Sequence, residues 1–172
     1  MLSDKMLKGL NDQITKEIYS SYLYLQMVAW FQNHSLSGFA NWMKVQTQEE
    51  LSHAMILFNF VNERDGFVTL GAVDKPESKF DSVQDVFTKT LAHEQLVTAS
   101  INNLVTIAIA EQDYATKNRL DWFVDEQVEE EANATELLGK LKLIGNDGNG
   151  LFMMDKEVSA RAFVMPSPLA GA

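Results

Sequence analysis

The chain has 172 residues, of which 46% are hydrophobic, and it carries a formal net charge of −10 and no cysteine. This length and hydrophobic share predict one folded domain, and the acidic excess argues against a nucleic-acid partner, because phosphate binding needs a basic surface. Without cysteine there is no disulfide, thiolate zinc site or cysteine-bound iron–sulfur cluster, so any metal must be bound by carboxylate, imidazole or amide groups.

The N-terminal stretch MLSDKMLKGL carries charged residues and lacks the apolar run of a secretory signal. No segment approaches the 18 or so uncharged apolar residues that a membrane-spanning helix needs. We therefore expect no membrane association and a cytoplasmic location.

Glycine and proline number nine and three and lie mostly in clusters, which leaves long segments with few helix breakers. Within these segments apolar residues recur at intervals of three and four, the spacing of one face of an α-helix. Four long amphipathic helices predict a bundle. The predicted helices cover residues 6–34, 40–65, 83–112, 116–144 and, as a short fifth helix, 151–162.

The links between these helices predict the topology. Short links after the first and third helices predict antiparallel neighbours. The second link, roughly 67–82, can extend about 50 Å, whereas a 26-residue helix is about 39 Å long. This link can therefore cross the bundle and make the middle helices parallel. We expect an all-α domain over residues 1–163 and a flexible tail over 164–172.

Each of the four apolar stripes is interrupted by polar side chains. A lone ionised carboxylate costs several kcal/mol to bury, so such groups are paired or bind a metal. One glutamate alone would most simply indicate a buried ion pair, but four helices contribute here and no inner stripe carries a central lysine or arginine. A proton shared among carboxylates stays possible, while a divalent or trivalent cation explains the set more simply. The polar residues are Glu17, Glu50 with His53, Glu94, and Gln127 with Glu130.

The spacing of these residues repeats. Glu17 and Glu50 are 33 positions apart, as are Glu94 and Gln127, and a shift of 77 residues superposes the two halves at the polar positions. Overall identity between the halves is low. Two hairpins related by a pseudo-two-fold axis would bring both polar sets to one level, which predicts a two-metal site in the bundle core.

The sequence resembles the bacterial-type non-haem ferritins of the ferritin-like di-iron carboxylate family. The resemblance lies in EIYSSYLYLQM around Glu17, QEELSHA around His53 and DEQVEEE at 125–131, and it extends to about residue 163 through GNGLFMMDKEVSARAF. It implies a ferritin-like four-helix bundle with a long crossover between the second and third helices and a short fifth helix.

The same resemblance implies roles for the polar set. Glu17, Glu50 and His53 would bind a first iron, with Glu50 bridging to a second iron bound by Glu94 and Glu130. Gln127 would be a ligand or a hydrogen-bond donor. Fe(II) would be oxidised by dioxygen or hydrogen peroxide, and Fe(III) would be stored as mineral inside a homo-oligomeric shell of 24 subunits.

Three further carboxylates adjoin the site in the sequence. By resemblance, Glu49, Glu126 and Glu129 form a third iron position with Glu130, although a solvated acidic face would also explain the run Glu129–Glu131. Glu131 is expected to face solvent. The second half of the site reads Gln127-x-x-Glu130 instead of Glu-x-x-His, and because an amide is a weak ligand we expect loose binding there, which suits storage.

Aromatic and histidine residues also lie near the motifs. Tyr24 follows Glu17 on the same stripe by two turns and either acts near the iron or is an interior aromatic. Trp122 could also lie near the iron, although its helix phase fits this position less well than that of Tyr24. His34 and His93 are expected at the surface, and Asp113 and Asp121 are candidates for an iron uptake route.

Several other classes fit less well. A haem-containing bacterioferritin carries methionine directly after the bridging glutamate and a second Glu-x-x-His, whereas this chain has Leu51 and Gln127-x-x-Glu130, so no haem is expected. A rubrerythrin needs cysteine, and the mini-ferritins have shorter chains with differently placed ligands. A signalling four-helix bundle predicts purely apolar stripes. An iron-free shell subunit stays open as an alternative.

Overall fold

The computed structural model describes residues 1–170, and within these residues it consists of five α-helices without β-strands. Each predicted helix is present, with ends that differ from the predicted ones by at most four residues. Residues 171–172, the end of the predicted tail, lie outside the described residues. The helices are α1 (Asp4–Asn33), α2 (Ser37–Glu63), α3 (Val83–Ala110), α4 (Tyr114–Ile144) and α5 (Gly148–Val158).

Four of the helices begin at a local side-chain cap. The side chains of Ser3, Ser82, Asp113 and Asp147 accept hydrogen bonds from backbone N–H groups of the first turns of α1, α3, α4 and α5. Such caps satisfy amide donors that have no partner within the helix. These residues explain why the four helices begin where they do.

Helix α2 is capped instead by a residue distant in sequence. Its N-cap Leu36 has no capping side chain, and Asp155 Oδ1 of α5 accepts the hydrogen bond from the Phe39 N–H at 2.9 Å. Gly38 permits this contact, since a Cβ atom there would lie 1.6 Å from the carbonyl oxygen of Asp155. Helix α5 is therefore docked on the first turn of α2.

The connections confirm the predicted topology. Three residues link α1 to α2 and three link α3 to α4, so each pair forms an antiparallel hairpin, whereas the link from α2 to α3 spans residues 64–82. This crossover runs along α1, because the Gly71 N–H donates to Thr15 Oγ1 at 3.0 Å near one end and the Phe80 ring lies 6.0 Å from that of Trp30 near the other. Helix α3 consequently starts beside the end of α1 and runs parallel to α2.

Two apolar clusters occupy the two ends of the bundle and leave a polar layer between them. The burial of their large side chains contributes about 1.5–3 kcal/mol each, so the ends stabilise a middle layer that contributes little apolar burial. One cluster contains Phe31, Phe39, Phe87, Leu141 and Met154, and the other contains Leu10, Leu57, Phe60, Leu104 and Phe123.

After α5 the chain folds back along the bundle. Asn41 Nδ2 donates to the backbone carbonyls of Ser159 at 3.1 Å and Arg161 at 2.9 Å, and Leu169 packs against the cluster around Leu10. We call residues 159–170 the C-terminal arm. In the described part of the chain, every helix is too short or too polar to cross a bilayer.

Candidate metal centre

The six polar residues predicted for the centre meet in the layer between the two apolar clusters. Their side chains come from all four long helices, and none of these residues is more than 4% exposed. The 77-residue repeat therefore has the predicted structural counterpart, with the α1–α2 and α3–α4 hairpins facing each other. The six are Glu17, Glu50, His53, Glu94, Gln127 and Glu130.

The half contributed by α1 and α2 is arranged around an open position. Glu17, Glu50 and His53 each offer a ligand atom, and these atoms lie within 4.8 Å of one another. Glu17 Oε2 and His53 Nε2 are buried and have no hydrogen-bond partner in the described structure. Since buried polar atoms are nearly always paired, these two unpaired atoms fit the role of cation ligands.

The other ligand atoms of this half are oriented by hydrogen bonds. Gln13 Nε2 donates to Glu17 Oε1 at 2.8 Å, and His53 Nδ1 lies 3.3 Å from Glu50 Oε2. A proton on Nδ1 shared with Glu50 leaves Nε2 with a lone pair that can bind a metal.

In the half contributed by α3 and α4, the carboxylate of Glu94 already has hydrogen-bond donors. Glu94 accepts hydrogen bonds from the Tyr24 hydroxyl and from Gln127 Nε2, the latter at 3.2 Å. Gln127 Nε2 also lies 3.3 Å from Thr98 Oγ1. Gln127 therefore acts in this structure as a donor to Glu94 and holds that carboxylate in place.

Burial dominates the electrostatics of this layer. It raises the pKa of Glu17, Glu94 and Glu130 to about 8, with further increases from Glu50 on Glu17 and Glu94 and from Glu94 on Glu130. The pKa of Glu50 is also well above its usual range, first because of burial and then because of Glu130. A layer that holds protons at neutral pH can exchange them for a metal cation.

The three additional carboxylates occupy different environments. Glu126 Oε1 lies 3.8 Å from His53 Nε2, and Glu126, His53 and Glu130 form a second group whose ligand atoms lie within 4.8 Å of one another. Glu49 accepts a hydrogen bond from Arg161, and Glu129 is exposed. Glu49, Glu126 and Glu129 line a cavity of about 800 Å³ beneath the C-terminal arm.

The sequence pattern of the Ferritin-like domain family matches residues 7–144 of this chain. The chain belongs to this family. It is 45% identical over 158 residues to the bacterial non-heme ferritin of Campylobacter jejuni, which covers 92% of this chain and 95% of that relative. It is 40% identical over 159 residues to the bacterial non-heme ferritin of Escherichia coli O6:H1, covering 92% and 96%.

Solved ferritin structures share the fold. An open-pore ferritin of the hyperthermophilic archaeon Archaeoglobus fulgidus superposes with a TM-score of 0.93 at 51% identity, over 94% of this chain and 100% of that chain. A closed form engineered from the Archaeoglobus fulgidus ferritin gives a TM-score of 0.94 at 51% identity, over 95% and 100%. The chain thus shares its subunit fold with both the open-pore and the closed form of the Archaeoglobus fulgidus ferritin.

Some of the aromatic and histidine residues of this chain lie where the sequence predicts. Tyr24 is buried against Glu94, and both its burial and that carboxylate raise the pKa of its hydroxyl. The Trp122 ring lies 5.5 Å from the His53 ring, and His34 is exposed as expected.

Two surface predictions are wrong. His93 is half-buried, 2.7 Å from Ser20 Oγ, and burial lowers its pKa to about 4. His93 points away from Glu94 around the axis of α3, as its helix phase predicts. Its ring is nevertheless covered by the neighbouring helix α1. Glu131 is also half-buried and accepts a hydrogen bond from Thr98 Oγ1 at 2.6 Å, so Glu129 is the exposed member of that run.

The two aspartates considered for iron uptake form local ion pairs. Asp113 caps α4 and accepts hydrogen bonds from Arg64 at 3.1 and 3.2 Å, and Asp121 pairs with Lys117 at 2.9 Å. A role of either residue in iron uptake stays a prediction.

Two glutamines that the sequence did not single out orient the ligands. Gln46 Nε2 donates to Glu50 Oε1 at 3.1 Å and to Glu130 Oε2 at 2.7 Å, and so connects the two halves. Gln13 serves Glu17 alone, and its own Oε1 accepts from Ser100 at 2.5 Å. The sequence did contain a signal for Gln46: this residue lies on the inner stripe of α2, where an amide without a hydrogen-bond partner would be costly to bury.

Proposed function

We propose that this chain is an iron-storage ferritin subunit that oxidises Fe(II) at a pair of positions in its bundle core. The observation that carries the proposal is a buried group, Glu17, Glu50 and His53, whose ligand atoms lie within 4.8 Å of one another, in which Glu17 Oε2 and His53 Nε2 have no hydrogen-bond partner. Carboxylate oxygens suit hard iron ions, and imidazole binds iron as well.

The two iron positions differ in this proposal. Glu17, Glu50 and His53 bind the first Fe(II), and Glu50 bridges to the second, which Glu94 and Glu130 bind. Gln127 holds Glu94 through its amide N–H at 3.2 Å. Because the hydrogen bonds to Glu94 compete with a cation, the second ion binds more weakly and can leave after oxidation.

The reaction balances without a resident cofactor. Two Fe(II) ions give up two electrons, and dioxygen takes these with two protons to form hydrogen peroxide. Alternatively, hydrogen peroxide takes the two electrons and two protons to form two water molecules. The carboxyl groups of Glu17, Glu94 and Glu130, whose pKa values lie near 8, release protons as Fe(II) binds.

Fe(III) then leaves toward a third position formed by Glu49, Glu126, Glu129 and Glu130. The distance of 3.8 Å from Glu126 Oε1 to His53 Nε2 supports this route, because it makes Glu126 adjacent to the first position. Tyr24, bonded to Glu94, lies close enough to the second position to orient its ligand.

We further propose that 24 copies form a hollow shell in which the ferric mineral is stored. Phe152 and Met153 of α5 are 70% and 71% exposed, an apolar surface that supports contact with other subunits. A stable monomer in size-exclusion chromatography or light scattering would contradict both the shell and the storage.

Addition of Fe(II) in air to the assembled metal-free protein tests the proposal. We expect rapid growth of the absorbance of ferric oxo species, and Glu50→Ala to abolish the fast phase. Glu63→Ala is the matched control, since Glu63 lies on the same helix with a side chain 62% exposed. Equal fast phases in both variants, or none in the unmodified protein, would contradict the proposal.

A further inference from the structure

The C-terminal arm places a positive charge among the carboxylates at the edge of the metal centre. Arg161 Nη2 donates to Glu49 Oε2 at 2.5 Å, and its side chain is only 20% exposed. The guanidinium carbon also lies 4.2 Å from the centre of the Trp42 ring. No arginine or lysine on the inner stripes of the four long helices reaches this site, so the arm supplies the cation.

A second hydrogen bond extends the influence of Arg161 into the metal centre. Arg161 Nη1 donates to Gln46 Oε1 at 2.8 Å, and Gln46 Nε2 donates to Glu50 and Glu130. An amide presents its oxygen on one side and its nitrogen on the other. By binding the oxygen, Arg161 fixes the amide so that its N–H groups face the two carboxylates.

We propose that Arg161 is a positioning residue that occupies the place of a cation at Glu49, and that metal binding at the third position displaces its side chain from Glu49 and Gln46. This inference rests on the third position of the proposed function. Displacement removes the guanidinium from Trp42 and frees the amide of Gln46 to turn.

Charge and space both support an exchange of cations. A metal ion ligated by Glu49 and Glu126 would lie close to the guanidinium, and two positive charges at that distance repel each other. The cavity of about 800 Å³ is lined by Glu49, Glu126, Glu129 and Arg161 itself, so the displaced side chain has room to swing. Asn41 holds the arm through the backbone carbonyls of Ser159 and Arg161, and Leu169 packs against the bundle, so the Arg161 side chain can leave Glu49 while the arm stays attached.

Titration of the assembled metal-free protein with Zn(II), which is not oxidised, tests the inference by calorimetry and tryptophan emission. In the unmodified protein the third Zn(II) ion per chain should change the emission of Trp42, which Trp42→Phe identifies by difference. In Arg161→Gln the third ion should bind about tenfold more tightly, the first ion should be unchanged, and the emission should already be that of the metal-loaded protein. Arg161→Lys keeps the charge without the planar fork and should bind the third ion with intermediate affinity.

Arg119→Gln is the matched control, because Arg119 also stacks on an aromatic ring, that of Phe60 at 5.3 Å, and pairs with a glutamate of α2. It should leave all three binding steps unchanged. Asn41→Ala keeps the arginine but loosens the arm, and it should strengthen the third step by a smaller factor than Arg161→Gln.

The outcomes separate this inference from the proposed function. A third step that is equal or weaker in Arg161→Gln, or that leaves Trp42 emission unchanged in the unmodified protein, overturns the displacement of Arg161. Binding of only two Zn(II) ions per chain, in both the unmodified protein and Arg161→Gln, also overturns the displacement of Arg161, but it leaves the di-iron proposal intact. Loss of the first step in Glu50→Ala, together with a third-position step that still changes Trp42 emission, supports both the proposed function and the displacement. A first step that persists in Glu50→Ala contradicts the proposed function instead.

Discussion

The two halves of the metal centre occupy one buried layer and differ in what their polar atoms contact. In the α1–α2 half, Glu17 and His53 each keep one buried atom without a partner. In the α3–α4 half, Glu94 already accepts hydrogen bonds from Tyr24 and Gln127. An open position can accept a cation at once, whereas a satisfied one must first give up its hydrogen bonds. The comparison predicts ordered binding, with the α1–α2 position filled first.

Removal of Glu50 should have the largest effect, because this residue belongs to the first position and bridges to the second. Glu50→Ala should weaken the first Zn(II) binding step by about 100-fold or more, measured by calorimetry on the metal-free protein. Glu63→Ala should bind as the unmodified protein does. An effect confined to the second step would show that the α1–α2 half is not the primary position.

Gln127→Glu should reduce the difference in metal affinity between the two halves of the centre. It replaces a donor to Glu94 with a carboxylate that can bind metal, so the second Zn(II) ion should bind about tenfold more tightly. Iron release to a ferric chelator after oxidation should become slower. Gln95→Glu, on the exposed face of α3, adds the same charge away from the site and should change neither quantity. An unchanged second step would show that Gln127 does not cause the asymmetry.

Raising the pH should destabilise the metal-free protein. The carboxyl groups of Glu17, Glu94 and Glu130 have pKa values near 8 in the folded chain and near 4.5 when unfolded, so the folded chain binds more protons between these values. Stability is therefore lost as the pH rises toward 8. Below pH 6.5 the buried His93 opposes this trend, because its depressed pKa favours the unfolded chain in acid.

The informative window is thus pH 6.5–8, where we expect the free energy of unfolding to decrease by about 1–2 kcal/mol for each of the three carboxyl groups. Urea unfolding with a chelator present measures it, and Glu17→Gln should flatten the slope because an amide does not titrate. A stability that rises across this window would contradict the protonated state of the layer.

Tyr24→Phe should have the smallest effect and should concern the α3–α4 half alone. Loss of the hydroxyl frees one oxygen of Glu94, so the second Zn(II) ion should bind about threefold more tightly. The affinity for the first ion should stay constant. Tyr22→Phe is the control, since Tyr22 is 49% exposed. A change in the first step would show that the halves are coupled through Tyr24.

Most of the fold and of the central ligand set is readable from the sequence because both rest on local periodicity. Spacing of three and four residues defines the inner face of each helix, and the 77-residue repeat aligns Glu17 with Glu94 and Glu50 with Gln127. The length of the crossover determines which helices are parallel. These features depend on positions along a helix, which a one-dimensional pattern contains.

Only the tertiary structure decides what surrounds those ligands. Gln46 lies on a predicted inner face, but its two carboxylate partners belong to α2 and α4 and its third contact, Arg161, is 115 residues away. His93 is covered by a neighbouring helix, and Asp155 caps a helix whose own sequence contains no cap. Helical periodicity determined which side chains point inward, whereas the packing of the helices against one another, and of α5 and the C-terminal arm against them, decided how these side chains are paired, because that packing brings together segments far apart in the chain.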